Sequence, residues 1–336
     1  RFYAKPINEN FVSVKSSDRR AERLCIGEFC SIFFFGIDFC LGFGYNKREY
    51  RNRRTSRNIA KEYRFMNTNL ILKKIDDLPE NPLENAVPDG GLCAIFRTMG
   101  FVGDSLSSGE FEALTEDGVR SWHDMFEYSW GQFIARRCGL KAINFSRGGM
   151  TAKEFNASLG KAFGFEQPEN VCQAYVIALG VNDVLNTGNP VGTLDDIDFE
   201  NYENNKPTFA GEYAKIVQKI KKMQPKARVF LMSMPRETYG GKENNPELRK
   251  EHRDFLVSLA EKFEFTYVLD FYKYAPVYDD EFRKNYYLGG HLNAAGYKLT
   301  ADFVMSYIDY IIRKQPEDFT QVGFIGTEFH YHGVKW

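Results

Sequence analysis

The sequence predicts an α/β protein, a three-layer α/β/α sandwich built on a mainly parallel sheet of five strands. From about Gly100 onward, short apolar runs alternate with amphipathic stretches, a pattern typical of βαβ units. The chain has 336 residues, and 43% of them are hydrophobic, which is enough for one large domain or two small ones. A formal net charge of −1 combined with this apolar content excludes an intrinsically disordered chain.

Five apolar runs predict the strands, and three amphipathic stretches predict helices between and after them. A helix over 126–138 stops at Gly139, where a glycine can cap the last turn. Helices over 209–223 and 294–313 end shortly before Pro225 and Pro316, which cannot continue a helix. Strands joined by such helices form a flavodoxin-like sheet. The predicted strands are 100–103, 142–145, 174–179, 228–233 and 265–270.

Charge divides the chain into two parts. Residues 1–65 contain 14 Lys and Arg against 7 Asp and Glu, whereas the remainder contains 30 against 38. We therefore predict a basic N-terminal extension of uncertain structure over 1–80 and a main domain over 81–336, with a short C-terminal appendage from about residue 315. For the extension, a basic surface for anionic partners, a loosely packed segment and sequence upstream of a natural start at Met66 are all open interpretations.

Several classes of partner and cofactor do not fit the sequence. The near-neutral net charge argues against nucleic acid, and six cysteines without a CxxC pair argue against structural zinc. The longest apolar stretch, 29–44, contains Asp38 and is too short for a transmembrane helix, so we expect no transmembrane segment. We expect no cofactor and, without a recognisable export signal, a cytoplasmic location; the oligomeric state is not predicted. The other histidines are interpreted as two surface residues and a pair too small for a metal site: His123, His252, His330 and His332.

Polar residues follow the ends of the predicted strands, where ligands bind in parallel sheets. Ser105 comes directly after the first strand, within Gly-Asp-Ser-Leu, although a serine there could equally cap a helix. Gly149 lies in the loop after the second strand, where paired glycines leave amide N–H groups free for an anion. Asn182 follows the third strand, and His291 precedes the last helix.

In this order and context, the four blocks resemble those of the SGNH (GDSL) hydrolases over about residues 100–313. The resemblance implies acyl-ester hydrolysis in which Ser105 attacks the carbonyl carbon and His291 accepts its proton. It also implies an oxyanion hole formed by the backbone N–H groups of Ser105 and Gly149 and the side-chain amide of Asn182.

The sequence departs from this family at one position. Members usually carry an aspartate three residues before the histidine, where this chain has Leu288. Another carboxylate could orient His291, the candidates being Asp279, Asp280 and Glu281. Alternatively a main-chain carbonyl holds Nδ1–H and the enzyme uses a Ser–His dyad, the interpretation we favour. A third interpretation is that catalysis is lost and only the binding crevice remains.

The residues after the nucleophile bear on the substrate. Glu110 and Glu112 are candidates for contact with a polar substrate, with a solvated loop as the simpler interpretation. Four aromatic residues could line a sugar or acyl site, with core packing expected for at least half of them: Trp122, Phe126, Tyr128 and Trp130. We predict a serine esterase that hydrolyses short-chain, acetyl-type esters of a carbohydrate or another small polar substrate. The alternatives are a catalytically weak or inactive binding protein on the same scaffold, a lysophospholipase or a thioesterase.

Overall fold

A computed structural model describes residues 23–26, 29–34, 37–40, 80–84, 87, 89–241 and 244–333. The chain divides into two compact units, residues 1–73 and 74–336. The described part of the first unit is an antiparallel sheet of β1 (Arg23–Ile26), β2 (Phe29–Phe34) and β3 (Ile37–Cys40). The basic segment 47–64 lies outside the described residues, and the predicted boundary near residue 80 stays a prediction.

The second unit is built on a five-stranded sheet in which every neighbouring pair is parallel. In spatial order the strands are β10 (Thr266–Leu269), β9 (Arg228–Met232), β8 (Ala174–Ala178), β4 (Thr98–Gly103) and β7 (Lys141–Ser146), so the first strand in sequence lies inside the sheet. This order is that of flavodoxin-like sheets, and the predicted fold class is confirmed.

Helices connect and cover the strands. A helical stretch over 152–162, here α3, contains a π-helical turn at Phe155–Leu159. The other helices are Ser105–Ser108 (α1), Trp130–Cys138 (α2), Phe209–Met223 (α4), Pro246–Ala260 (α5), Phe271–Tyr274 (α6), Asp280–Tyr286 (α7) and Ala294–Lys314 (α8). Two short hairpins complete the unit: β5 (Glu110–Leu114) with β6 (Arg120–Asp124), and β11 (Tyr287–Leu288) with β12 (His291–Leu292).

Two predicted helices are confirmed and a third is corrected. Helices α4 and α8 match the predictions to within one residue. The helix expected over 126–138 is interrupted, because Ser129 is extended and its hydroxyl accepts a hydrogen bond from the Gln132 N–H at 3.2 Å. A serine in this position starts a helix, so a 3₁₀ turn at Phe126–Tyr128 precedes a shorter α2.

The sheet separates two hydrophobic cores. Alternate residues of a strand point to opposite faces, so Val176 packs with α2 and α8 while Ile177 packs with α4 and α5. All these contacts place the buried layers on both sides of the sheet, as a three-layer sandwich requires. No helix of the described residues has the length and apolar character needed to cross a membrane.

Candidate active site

Ser105 lies where β4 turns into α1, at the carboxyl edge of the sheet. The Asp104 carboxylate caps the helix by accepting a hydrogen bond from the Leu106 N–H at 3.1 Å, so the capping role belongs to Asp104 and leaves the Ser105 hydroxyl available. The Ser105 N–H is at the first position of the helix, where no intrahelical acceptor exists. Burial raises the pKa of Asp104 to about 6.

The loop after β7 carries Gly149, whose φ of +74° lies in the left-handed region that favours glycine. A buried carboxylate, Asp183, ties this loop to the one after β8, because its Oδ1 accepts a hydrogen bond from the Ala152 N–H at 2.8 Å. Burial raises the pKa of Asp183 to about 7. This link fixes the loops that carry Gly149 and Asn182 relative to each other.

The amide of Asn182 is oriented by two hydrogen bonds. Its Nδ2 donates to the Met150 carbonyl at 3.3 Å, and its Oδ1 accepts from Asn186 Nδ2 at 2.7 Å. Because an amide nitrogen has two N–H groups, one remains for a ligand. Asn182 also lines the same cavity as Ser105 and Gly149.

His291 is the first residue of β12 and is held between two glutamates. Its Nε2 lies 2.9 Å from Glu110 Oε1, and its Nδ1 lies 3.8 Å from Glu112 Oε2. Within the described residues this buried Nδ1 has no hydrogen-bond partner. Burial lowers the pKa of His291, and the Glu112 carboxylate acts in the opposite direction.

The carboxylates expected to orient His291 lie elsewhere. Asp279 caps α7 by accepting from the Phe282 N–H at 2.8 Å, and Asp280 accepts from the Gly240 N–H at 2.8 Å. Glu281 is exposed. Among the described residues, Glu110 and Glu112 are the carboxylates that lie against the His291 ring nitrogens, which corrects the expectation that one of these three residues orients it. The expected main-chain carbonyl is also missing from the described surroundings of Nδ1.

For Glu110 and Glu112, the sequence predicted contact with a polar substrate but not the contact with His291. The expected solvated loop is wrong, because both belong to β5 and Glu112 is 7% exposed. Residues two apart on a strand share a face, so both carboxylates point toward His291. The alternation Glu-Phe-Glu shortly after Ser105 is a sequence pattern that could have indicated this. It places both carboxylates on one face only if the segment is a strand, which the structure shows.

One cavity of about 550 Å³ brings the predicted residues together. It is lined by Ser105, Gly149, Asn182 and His291, which belong to four segments separated by up to 186 positions in sequence. Trp122 on β6 lines the cavity and is 54% exposed, so it provides an aromatic face at the entrance. Trp130 is buried and also lines the cavity, whereas Phe126 is half-buried and Tyr128 is exposed, so the expectation that at least half of the four aromatic residues pack in the core is wrong.

The remaining histidines do not form a metal centre in the part of the chain that the structure describes, where no group of three or more metal-ligating side chains occurs. His123 is exposed, as predicted. The prediction of a surface position for His252 is wrong: it is fully buried and its Nε2 donates to the Leu179 carbonyl at 3.0 Å. Burial lowers the pKa of His252 to about 4.

Comparison with known proteins bears on the family. No curated protein matches the chain. Similar solved structures include a family two carbohydrate esterase from Clostridium thermocellum in complex with cellohexaose, at 15% identity and a TM-score of 0.43, covering 66% of this chain and 65% of that one. A possible lipase from Chitinophaga pinensis is 17% identical with a TM-score of 0.44, covering 65% of this chain and 98% of that one. A carbohydrate esterase family 2 enzyme from Corynascus thermopiles is 17% identical with a TM-score of 0.43, and the match covers 63% of this chain and 65% of that one.

The family itself is established from sequence. The sequence model of the GDSL-like Lipase/Acylhydrolase family matches residues 101–299, more than half of the chain. The match spans the strand ends that carry Ser105, Gly149, Asn182 and His291. The chain therefore belongs to the GDSL-like Lipase/Acylhydrolase family and is a carboxylic ester hydrolase.

Proposed function

We propose that the protein is a serine esterase that removes short, acetyl-type acyl groups from a carbohydrate or another small polar substrate. The observation that carries this proposal is the single cavity lined by Ser105, Gly149, Asn182 and His291. A nucleophile, a base and amide donors for an oxyanion are the groups that ester hydrolysis needs in one place.

In this mechanism the Ser105 oxygen attacks the ester carbonyl while its proton moves to His291 Nε2. Negative charge then develops on the carbonyl oxygen, and the N–H groups of Ser105 and Gly149 and the amide of Asn182 would receive it. His291 returns the proton to the leaving alcohol, and water repeats the sequence to release the acid.

Glu110 affects the first step. Its carboxyl group is paired with Nε2 in the structure, so it must release this nitrogen before His291 can accept the Ser105 proton. Burial, together with the nearby Asp124 carboxylate, raises the pKa of Glu110. Substrate entering between the two residues would replace this contact.

Charged groups in the otherwise largely apolar cavity lining could bind a polar leaving group. Glu110 lines it near His291, and the ion pair between Arg283 and Glu237, at 2.7 Å, lines another part. A long alkyl chain would desolvate these charges without compensation, whereas sugar hydroxyls could hydrogen-bond to them.

The proposed function is tested with the purified full-length chain by two measurements. A fluorophosphonate probe is expected to label Ser105, as located by peptide mass spectrometry. Initial rates on p-nitrophenyl acetate, butyrate and octanoate and on an acetylated monosaccharide are expected to favour the acetyl esters. Fastest turnover of octanoate would support a lipase-like enzyme instead, and the absence of both labelling and turnover would support a binding protein.

Replacing Trp122 by alanine tests the sugar interpretation. Loss of an aromatic contact of this kind costs about 0.5–1.5 kcal/mol, so KM for the acetylated monosaccharide should rise about two- to tenfold, with a smaller change for p-nitrophenyl acetate. The matched control is Phe329→Ala, an exposed aromatic residue that does not line the cavity. Equal effects of Trp122→Ala on both substrates would argue against a sugar-binding face.

A further inference from the structure

The buried Nδ1 of His291 faces one carboxylate oxygen. Nδ1 has no hydrogen-bond partner among the described residues, and Glu112 Oε2 lies 3.8 Å away. A histidine that acts as a base through Nε2 must carry its proton on Nδ1, where an acceptor fixes the tautomer and the ring orientation. We propose that Glu112 is the positioning residue for His291, supplying from β5 the carboxylate that the sequence lacks at Leu288. This inference rests on the proposed function, because it assigns His291 the role of base.

Glu112 is held in place by groups other than His291. Its Oε1 pairs with Arg120 Nε at 2.9 Å, and its Oε2 accepts from the Gly290 N–H at 2.7 Å. A carboxylate oxygen can accept more than one hydrogen bond, so Oε2 can serve both the Gly290 N–H and the His291 Nδ1–H. Arg120 and Gly290 therefore hold the Glu112 carboxylate in its orientation without a contribution from His291.

The loop before His291 is shaped around this carboxylate. A Cβ atom on Gly289 would collide with the Glu112 carboxyl group, and one on Gly290 would lie 3.1 Å from Oε2. Gly289 also has φ of +65°, in the region that only glycine adopts readily. The paired glycines thus permit a close approach to Glu112, which supports the assignment independently of the imidazole position.

Leu288 does not compete for this role. It pairs with His291 across the β11–β12 hairpin, and its side chain is 52% exposed. The carboxylate comes instead from the strand that follows the nucleophile helix, so Ser105 and Glu112 are only seven positions apart. Strand β5 thus connects the helix that carries Ser105 to Glu112, the carboxylate proposed to position His291.

The proton balance of the step is simple. The Ser105 O–H bond breaks and an Nε2–H bond forms, while the Nδ1 proton stays on Nδ1 and Glu112 remains a carboxylate. The imidazolium formed in this way is stabilised by the adjacent negative charge. Three other charged groups surround His291: Glu110, which lies against Nε2, Asp124 on β6, and Arg120, which pairs with Glu112.

The experiment compares Glu112→Gln and Glu112→Asp with wild type in the full-length chain. Glutamine can still accept from the Gly290 N–H but carries no charge, so kcat on p-nitrophenyl acetate should fall on the order of 10²–10⁴-fold with little change in KM. Aspartate should recover part of this loss. Because the carboxylate favours the imidazolium, the acidic limb of the kcat profile should move to lower pH in Glu112→Gln. The control is Asp280→Asn, which removes an exposed carboxylate of α7 and should leave both readouts unchanged.

NMR of histidine-labelled protein provides a readout that does not need turnover. We expect the His291 titration midpoint to fall in Glu112→Gln and, at a pH below that midpoint where both ring nitrogens carry protons, a hydrogen-bonded Nδ1–H signal in wild type that is absent from His291→Ala. If wild type hydrolyses no ester, the proposed function fails, while these spectra still decide the role of Glu112. An unchanged His291 titration in Glu112→Gln, even with lower thermal stability, would overturn the inference. If Glu112→Gln does not fold, the wild-type spectrum decides. Absence of the hydrogen-bonded Nδ1–H signal would overturn the inference, and its presence would support it.

Discussion

Replacing Ser105 by alanine is expected to reduce turnover of p-nitrophenyl acetate by a factor on the order of 10⁴–10⁶. The hydroxyl oxygen is the atom that would bond to the acyl carbon, so no neighbouring group can take its place at that step. The remaining amide donors would still bind an oxyanion, and a small rate above that of water should therefore persist. The measurement is kcat from initial rates, together with loss of fluorophosphonate labelling.

The same variant should fold normally. Asp104 supplies the side-chain cap of α1, and the Ser105 carbonyl, which alanine retains, accepts the hydrogen bonds from the Gly109 N–H and Ser108 Oγ. Thermal unfolding should thus stay close to that of wild type. Ser121→Ala, on the β6 strand of the neighbouring hairpin, is the control for serine removal as such. Turnover in Ser105→Ala within tenfold of wild type would contradict the assignment of the nucleophile.

Local sequence patterns were sufficient to predict the fold and to select four residues that line one cavity. The strands could be read because buried parallel strands are continuous apolar runs, as in Ala174–Ala178. Ser105 and Asn182 could be placed because each directly follows such a run and so lies at the carboxyl edge of the sheet. In these cases the position of a side chain depends on residues close to it in sequence.

The contact between Glu112 and His291 could not be predicted in this way. Glu112 contacts Gly290 and His291 across more than 170 positions of sequence. The residues around Glu112 and those around His291 show no pattern that predicts this contact. The distance from Asp279–Glu281 to His291 along the chain is much shorter, but Asp279 caps α7, Asp280 binds the Gly240 N–H and Glu281 is exposed. His252 was misplaced for a related reason: its neighbours in α5 are polar, yet the helix turns this residue toward the end of β8.

Replacing His291 by alanine is expected to lower kcat by a factor similar to that of Ser105→Ala, on the order of 10⁴–10⁶. Without the imidazole, the Ser105 hydroxyl has no base to accept its proton, and its own pKa leaves almost no alkoxide at neutral pH. The double variant should be no slower than either single variant, since the two residues act in one step. Multiplicative losses would indicate that they act separately.

The pH dependence provides a second measure of the same residue. Burial holds the pKa of His291 below its ordinary value, so the imidazole stays neutral and able to accept a proton at pH values where an exposed histidine is already charged. The acidic limb of the wild-type profile should accordingly lie below the ordinary histidine pKa and disappear in His291→Ala.

Because the His291 side chain lines a cavity of about 550 Å³, added imidazole should enter the space vacated in His291→Ala and restore part of the rate. His123→Ala, an exposed histidine of β6, should retain wild-type turnover and gain nothing from imidazole; an equal response of both variants would argue against His291 as the base.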